Sequence, residues 1–123
     1  MSYDLYFWQQ SKIVEISPSE IVDRLDGEQS VDGIERIPRE HVRRVLKEWF
    51  PEIQDGDIDL TWEGEGSYFQ ISFAHVDERN VQMIVANCGW ELLKSETVVN
   101  RLIEACRSLG CGVYNPQTDE WQG

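Results

Sequence analysis

The carboxylates of this chain are concentrated between residues 52 and 65, a stretch that we call the acidic segment. It contains no lysine or arginine and six carboxylates: Glu52, Asp55, Asp57, Asp59, Glu63 and Glu65. The whole chain of 123 residues has a net charge of −12. A dense carboxylate patch on an acidic protein attracts cationic partners and also favours solubility. The acidic segment is therefore a candidate for binding a cationic partner.

Asp55, Asp57 and Asp59 have the alternating spacing with which a calcium loop begins. The pattern then fails, because Leu60 stands where such a loop needs glycine and Gly66 stands where it needs a bidentate glutamate. A solvated strand whose acidic side chains oppose edge-to-edge pairing is the plainer interpretation. We expect no metal and no cofactor in this segment.

Three cysteines and two histidines are the other residues that could do chemistry. They are Cys88, Cys106, Cys111, His41 and His75. No CxxC or HxxxH spacing supports a zinc site, and the odd cysteine count is typical of free thiols in a reducing compartment. Cys88 beside a histidine would make a nucleophile and base, but nothing local indicates an activated thiol. We expect a protein that is not an enzyme and keep a Cys88 nucleophile as a third hypothesis.

A basic segment precedes the acidic one. Between residues 36 and 47, Glu40 is the only carboxylate among five cations: Arg36, Arg39, Arg43, Arg44 and Lys47. This narrow distribution disfavours nucleic acid as a partner, because neutralising phosphates needs a broad basic surface. A small-molecule or anion-binding module that uses the basic helix 38–50, with Arg39, Arg43 and Arg44, is the alternative function.

Hydrophobic periodicity predicts the elements that position these residues. A capping box at Ser17–Glu20 starts a helix over 17–27, prolines bound a second helix over 38–50, and a third covers 95–109. Alternating patterns predict strands at 3–8, 57–62, 68–73, 81–86 and 111–114. The order β-α-α-β-β-β-α-β predicts one α+β domain over residues 1–123. Its fold is a two-layer sandwich with helices on one face of a largely antiparallel sheet of about five strands.

The alternation also assigns faces to the strands. Leu60, Trp62, Phe69 and Ile71 are predicted to face the core, as is Trp49 of the second helix. The aromatic residues on both faces of strand 3–8 indicate an inner strand. The residues predicted to contact a partner are Asp55, Asp57, Asp59, Glu63, Glu65, Tyr68, Gln70 and Trp8.

The composition also bears on location. No window approaches the roughly 18 apolar residues of a membrane span, and residues 1–10 lack the basic start and apolar core of a signal peptide. We expect a cytoplasmic protein with no membrane and no nucleic acid partner, either a monomer or a weak dimer.

The two ends of the chain read MSYDLYFW over residues 1–8 and LGCGVYNPQT over residues 109–118. They resemble the ends of small bacterial immunity proteins encoded beside polymorphic or contact-dependent toxins. Asn115 departs from that pattern, in which aspartate is usual. The resemblance implies a cytoplasmic α+β protein that binds one cognate toxin domain, often a basic nuclease, and blocks its active site. It implies no catalytic residues, and an acidic sheet face would then imitate nucleic-acid charge and speed encounter.

Overall fold

A single antiparallel sheet organises the molecule. The computed structural model describes residues 2–56, 59–64, 66–75 and 77–123. In chain order its elements are β1 (Ser2–Trp8), α1 (Pro18–Asp26), β2 (Ile37–Pro38), α2 (Arg39–Trp49), β3 (Gln54–Asp55), β4 (Leu60–Gly64), β5 (Ser67–His75), β6 (Asn80–Gly89), a 3₁₀ helix (Trp90–Lys94), α3 (Glu96–Ser108), β7 (Gly112–Asn115) and β8 (Glu120–Gln122). Within these residues seven of the eight strands follow the order β3-β4-β5-β6-β1-β7-β8, and the eighth, β2, pairs with the start of β6.

The α+β class and the antiparallel sheet are confirmed, and the strand count differs in detail. All five predicted strands exist, as β1, β4, β5, β6 and β7. The three that were not predicted, β2, β3 and β8, have only two or three residues each. Such short strands have too few residues for alternation to be visible, so their pairing depends on neighbours that are distant in sequence.

The helices lie on both faces of the sheet, so the prediction that they share one face is wrong. Helices α2 and α3 pack on the face that carries Leu5 and Phe7 of β1. Helix α1 packs through Ile21 and Leu25 on the opposite face, against Trp8 and other residues. Successive strand residues point to opposite faces, which is why β1 supplies aromatic side chains to both clusters. As predicted, β1 is an inner strand, between β6 and β7.

Local signals at the helix ends act as the sequence indicates. The Ser17 hydroxyl caps α1 by accepting a hydrogen bond from the Glu20 backbone N–H at 3.3 Å. At the end of α3, Gly110 adopts a positive φ of 86°, and the Cys111 N–H donates to the Cys106 carbonyl at 3.0 Å. This is the Schellman arrangement, which turns the chain from α3 into β7.

The core between the sheet and helices α2 and α3 is aromatic. Phe50, Trp62 and Phe69 pack with ring centroids 5.0 to 5.8 Å apart. The Arg101 guanidinium lies 4.3 Å from the Phe50 ring centroid and closes this cluster from α3. Trp49 does not join it, since it is 36% exposed, and its predicted place in the core is wrong. The last turn of α2 directs Trp49 outward while Phe50 turns in.

None of the helices in the described part of the chain is both long and apolar enough to cross a membrane.

Candidate partner-binding surface

Helix α1 covers only part of its face of the sheet. Its cluster is built on β1, β6 and β7, through Trp8, Met83 and Tyr114. Ala74 of β5 still packs against that cluster, whereas the outward residues of β4 and the other outward residues of β5 lie beyond it. We call this uncovered area the open face, and its members are Asp4, Asp59, Thr61, Glu63, Tyr68, Gln70, Ser72 and Asn87.

Strand register arranges the open face in rows. Thr61 pairs with Gln70, Gln70 with Asn87, and Asn87 with Asp4, so one row crosses four strands. In the next row Glu63 lies opposite Tyr68. Cross-strand neighbours on one face have Cβ atoms about 5 Å apart, so these polar side chains form a continuous surface.

Hydrogen bonds fix two carboxylates within this surface. The Asn87 side-chain amide donates to the Asp4 carboxylate at 2.7 Å, and the Tyr6 hydroxyl donates to the other Asp4 oxygen at 3.4 Å. The Gln70 side-chain amide donates to the Asp59 carboxylate. Asp4 and Asp59 are half-buried, whereas Glu63 is exposed. The face therefore combines two positioned carboxylates with one that is free to move toward a partner.

The charge on this surface has one sign. None of the described strand residues on the open face is lysine or arginine. Burial raises the pKa of Tyr6, and the adjacent Asp4 and the α1 carboxylates Asp26 and Asp23 raise it further. Such a surface concentrates cations and repels anions.

Tyr68 is the large aromatic side chain of the open face and is 39% exposed. Its ring lies against Gly89 of β6, where an added Cβ would come within 2.9 Å of the ring. The missing side chain thus allows the ring to lie over the backbone of the neighbouring strand. Trp90, the residue after Gly89, is 43% exposed but packs edge-on at 6.2 Å against Tyr3, whose side chain belongs to the core on the opposite face. An exposed tyrosine beside carboxylates is a typical anchor of protein interfaces.

Asp55 lies on the other side of the sheet. It pairs with Leu60, whose side chain is in the α2/α3 core, and its carboxylate forms ion pairs with Arg43 and with Lys47, the latter at 2.5 Å. The Lys47 and Arg43 cations lower the pKa of Asp55. Asp55 is therefore a counter-ion for the basic helix, and its assignment to the partner surface is corrected.

Trp8 is also removed from the predicted contact set. It is fully buried beneath α1, and its ring stacks on Trp121 at 4.4 Å with an interplanar angle of 6°. The Trp8 indole N–H donates to the Gln10 side chain at 3.1 Å. A partner cannot reach this ring without unfolding the covered half of the sheet. Two further predicted contacts, Asp57 and Glu65, lie outside the described residues.

The basic helix offers less charge to an anion than its sequence indicates. Asp55 already pairs with Arg43 and Lys47, and the Arg44 guanidinium lies 2.8 Å from the His41 ring nitrogen Nδ1. The shallow depression along this helix is bordered by Glu40 and Glu48 as well as by its cations. These carboxylates oppose an anion at the same place.

The cysteines lie in the core. Cys88, Cys106 and Cys111 are free and buried. Burial raises the pKa of Cys88 to about 12, opposite to the shift that activates a nucleophilic thiol. The burial of Cys88 thus disfavours the thiolate that a nucleophilic role would need. Among the described residues no three histidine, cysteine or carboxylate side chains are grouped so that they could hold a metal ion.

No protein-family model, curated protein or solved structure matches this chain.

Sequence reasoning found part of this surface and missed part. It placed Asp59, Glu63, Tyr68 and Gln70 on one outward face, and the structure brings these four together. It missed Asp4 and Asn87, which belong to strands far from the acidic segment in sequence. Alternation along β1 puts Asp4 on the same face as Trp8, but only the β1–β6 register shows that Asp4 meets the open face.

Proposed function

We propose that this chain is a toxin-neutralising immunity protein that binds a cationic toxin domain, of the nuclease type, through the open face. The observation that carries the proposal is an uncovered sheet half with carboxylates, an exposed aromatic anchor and no cation among its described strand residues. The resemblance of the chain ends to immunity proteins supports the same function. The revised contact set is Asp4, Asp59, Glu63, Tyr68 and Gln70.

The arrangement suits an inhibitor of a nucleic-acid-binding protein. Carboxylates placed in rows across adjacent strands offer a toxin cations that would otherwise contact phosphates. Complementary charge speeds encounter between proteins by roughly 10- to 1000-fold, and this effect weakens as salt increases. Tyr68 supplies the apolar contact area that keeps a complex from dissociating. Speed of capture matters for a protein that must intercept a toxin before it acts.

The test uses the protein domain encoded immediately upstream of this chain, produced in the same cells with and without it. We expect that domain to arrest growth and this chain to restore it. Association of the two purified proteins is then measured by stopped-flow at low and high salt. The key variant is Asp59→Lys with Glu63→Lys. The matched control is Glu96→Lys with Glu104→Lys, two exposed residues of α3.

Each double variant changes two carboxylates to lysines, so both reduce the net charge from −12 to −8, a change of +2 at each site. We expect the open-face variant to associate at least about tenfold more slowly at low salt, and the control to change much less. Equal rates for the two variants would place the contact elsewhere. A neighbouring domain that is harmless to cells would remove the basis for calling this chain an immunity protein.

A further inference from the structure

A second surface feature lies on the opposite face of the sheet, at the β7–β8 end. It is a cleft of about 240 Å³ between α3 and the strands β1, β7 and β8. Its apolar lining is formed by Leu5 and Val113 from the strands and by Val99 and Ile103 from α3. The cleft lies on the opposite face of the sheet from the open face, so this inference does not depend on the proposed function.

The cleft exists because the apolar stripe of α3 is wider than the surface that the sheet covers. Val98 and Leu102 are fully buried against the core, whereas Val99 and Ile103 are only half-buried. Val99 and Ile103 are four residues apart and therefore form one row on the helix. That row faces outward over β7, and this apolar surface stays accessible to a ligand.

The wall formed by β8 is held in place from the other face of the sheet. Trp121 of β8 stacks on Trp8, and its ring occupies the space beside Gly112, where an added Cβ would come within 2.5 Å. A strand of three residues is thereby anchored by its central side chain. The cleft is consequently preformed, as small-molecule sites usually are.

The rim of the cleft is polar and its charge has one sign. Asn115 pairs with Glu120, and Val113 pairs with Gln122, so polarity increases from the floor toward the β7–β8 turn. Among the described lining residues, Glu120 is the only charged one. At the inner end Tyr3 lines the cleft, and its buried hydroxyl lies beside the Cys88 thiol. The Glu120 carboxylate is negatively charged and can only accept hydrogen bonds, so it favours a ligand that is cationic and donates hydrogen bonds.

We propose that this cleft binds a small amphipathic cation, a primary amine with a compact aromatic or branched aliphatic body. The body would lie between the α3 row and Val113, and the ammonium group would contact the Glu120 carboxylate. A single aromatic ring matches the volume, since an apolar cavity of about 150 Å³ admits benzene. The negative charge of the whole protein adds attraction for a cation and repulsion for an anion.

The test compares three probes of nearly equal shape and different charge: benzylamine, benzyl alcohol and benzoate. Binding is followed by NMR through the methyl groups of Val99, Ile103 and Val113 during titration of the intact chain. We expect benzylamine to bind about two- to fivefold more tightly than benzyl alcohol, the range for a solvent-exposed ion pair, and benzoate to bind least.

Two variants separate the cleft from the general charge of the protein. Glu120→Gln should abolish the preference for the amine over the alcohol. Glu104→Gln, which removes an equal charge from α3 instead of β8, should retain it. Ile103→Trp should fill the cleft and remove binding of all three probes. If that variant does not fold, the Glu120→Gln comparison still decides. Methyl shifts that are absent, or an amine preference equal in both glutamine variants, would overturn the proposal.

Discussion

One face of the sheet is divided into two halves with different chemistry. In the covered half, α1 packs on Trp8, Met83 and Tyr114, and aromatic rings stack on each other. In the open half, the same strands and their neighbours present amides, hydroxyls and carboxylates to solvent. An antiparallel sheet tolerates this division, because a face that meets water needs only polar side chains.

The side chains of the covered half stabilise the fold, whereas those of the open half leave a surface exposed for another purpose. Both halves contain tightly fitted aromatic rings, each placed over a glycine: Trp121 over Gly112 and Tyr68 over Gly89. In the covered half the ring completes a core. In the open half the Tyr68 ring remains 39% exposed. It therefore buries less apolar area than a core ring and offers a contact surface. Substitutions should therefore affect stability in one half and association in the other.

Removing the largest buried ring should have the greatest effect. We expect Trp8→Ala to lower the free energy of unfolding by about 3 to 5 kcal/mol, because it leaves a cavity beneath α1 and removes the stack on Trp121. Trp49→Ala is the control for residue type, and Tyr68→Ala tests the open half. Each of these should cost about 1 kcal/mol or less, since both rings are more than one-third exposed. Urea unfolding measures all three, and comparable losses would refute the division.

Replacing each of the two glycines with alanine should show the same division, with the larger loss of stability in the covered half. An added Cβ at Gly112 would lie 2.6 Å from the Gln122 backbone carbonyl, which cannot move without shifting β8. We expect Gly112→Ala to destabilise the protein by roughly 1 to 3 kcal/mol through overpacking. At Gly89 the nearest atoms belong to the side chains of Ser67 and Tyr68, which can rotate toward solvent.

Gly89→Ala should therefore cost less than Gly112→Ala, but it should displace the Tyr68 ring. The displacement is visible as changed ring proton shifts of Tyr68 in NMR spectra. If Gly89→Ala left those shifts unchanged, the glycine would not be what positions the ring.

These contrasts also explain how much the sequence could predict. The long strands and all three helices were predictable, since alternation and helical spacing extend over enough residues, and Ser17 and Gly110 mark helix ends chemically. The short strands were not, because two or three residues have no period. The face of the sheet on which α1 packs was not predictable either, because the apolar stripe of Ile21 and Leu25 fits any apolar surface. Only the aromatic residues on both sides of β1 indicate that the sheet has two such surfaces.

The candidate surface was predictable only in part, for a geometric reason. Asp55 and Glu63 belong to one acidic segment, but the register between β3 and β4 and the pleat of the strands place them on opposite faces. The sequence shows the charge of each residue, but the fold decides which charges lie together on one face of the sheet. Asp4, at the other end of the chain, joins the open face through pairing with β6.

Asp55 and Glu63 can be compared directly by removing the charge of each in turn. Asp55→Asn should lower the free energy of unfolding by about 0.5 to 1 kcal/mol, since it removes two partly exposed ion pairs with α2. Glu63→Gln should change stability by less than that, because none of the described contacts of Glu63 is an ion pair. Thermal or urea unfolding of the two variants distinguishes them. A larger loss for Glu63→Gln would mean that the open face contributes more to the fold than its exposure indicates.

The smallest expected effect is a pH dependence that belongs to Asp55. Lys47 and Arg43 lower its pKa in the folded protein below the ordinary value of 3.8. A carboxyl group with a depressed folded pKa binds more protons in the unfolded chain, so its stabilisation is complete above the unfolded pKa and is lost as the pH falls through the folded value. We expect Asp55→Asn and the wild type to differ most near neutral pH and to converge below about pH 3.8. Urea unfolding measured between neutral pH and pH 3 checks this, and a difference that stayed constant over that range would show that the Asp55 pairs with the basic helix do not stabilise the fold through charge.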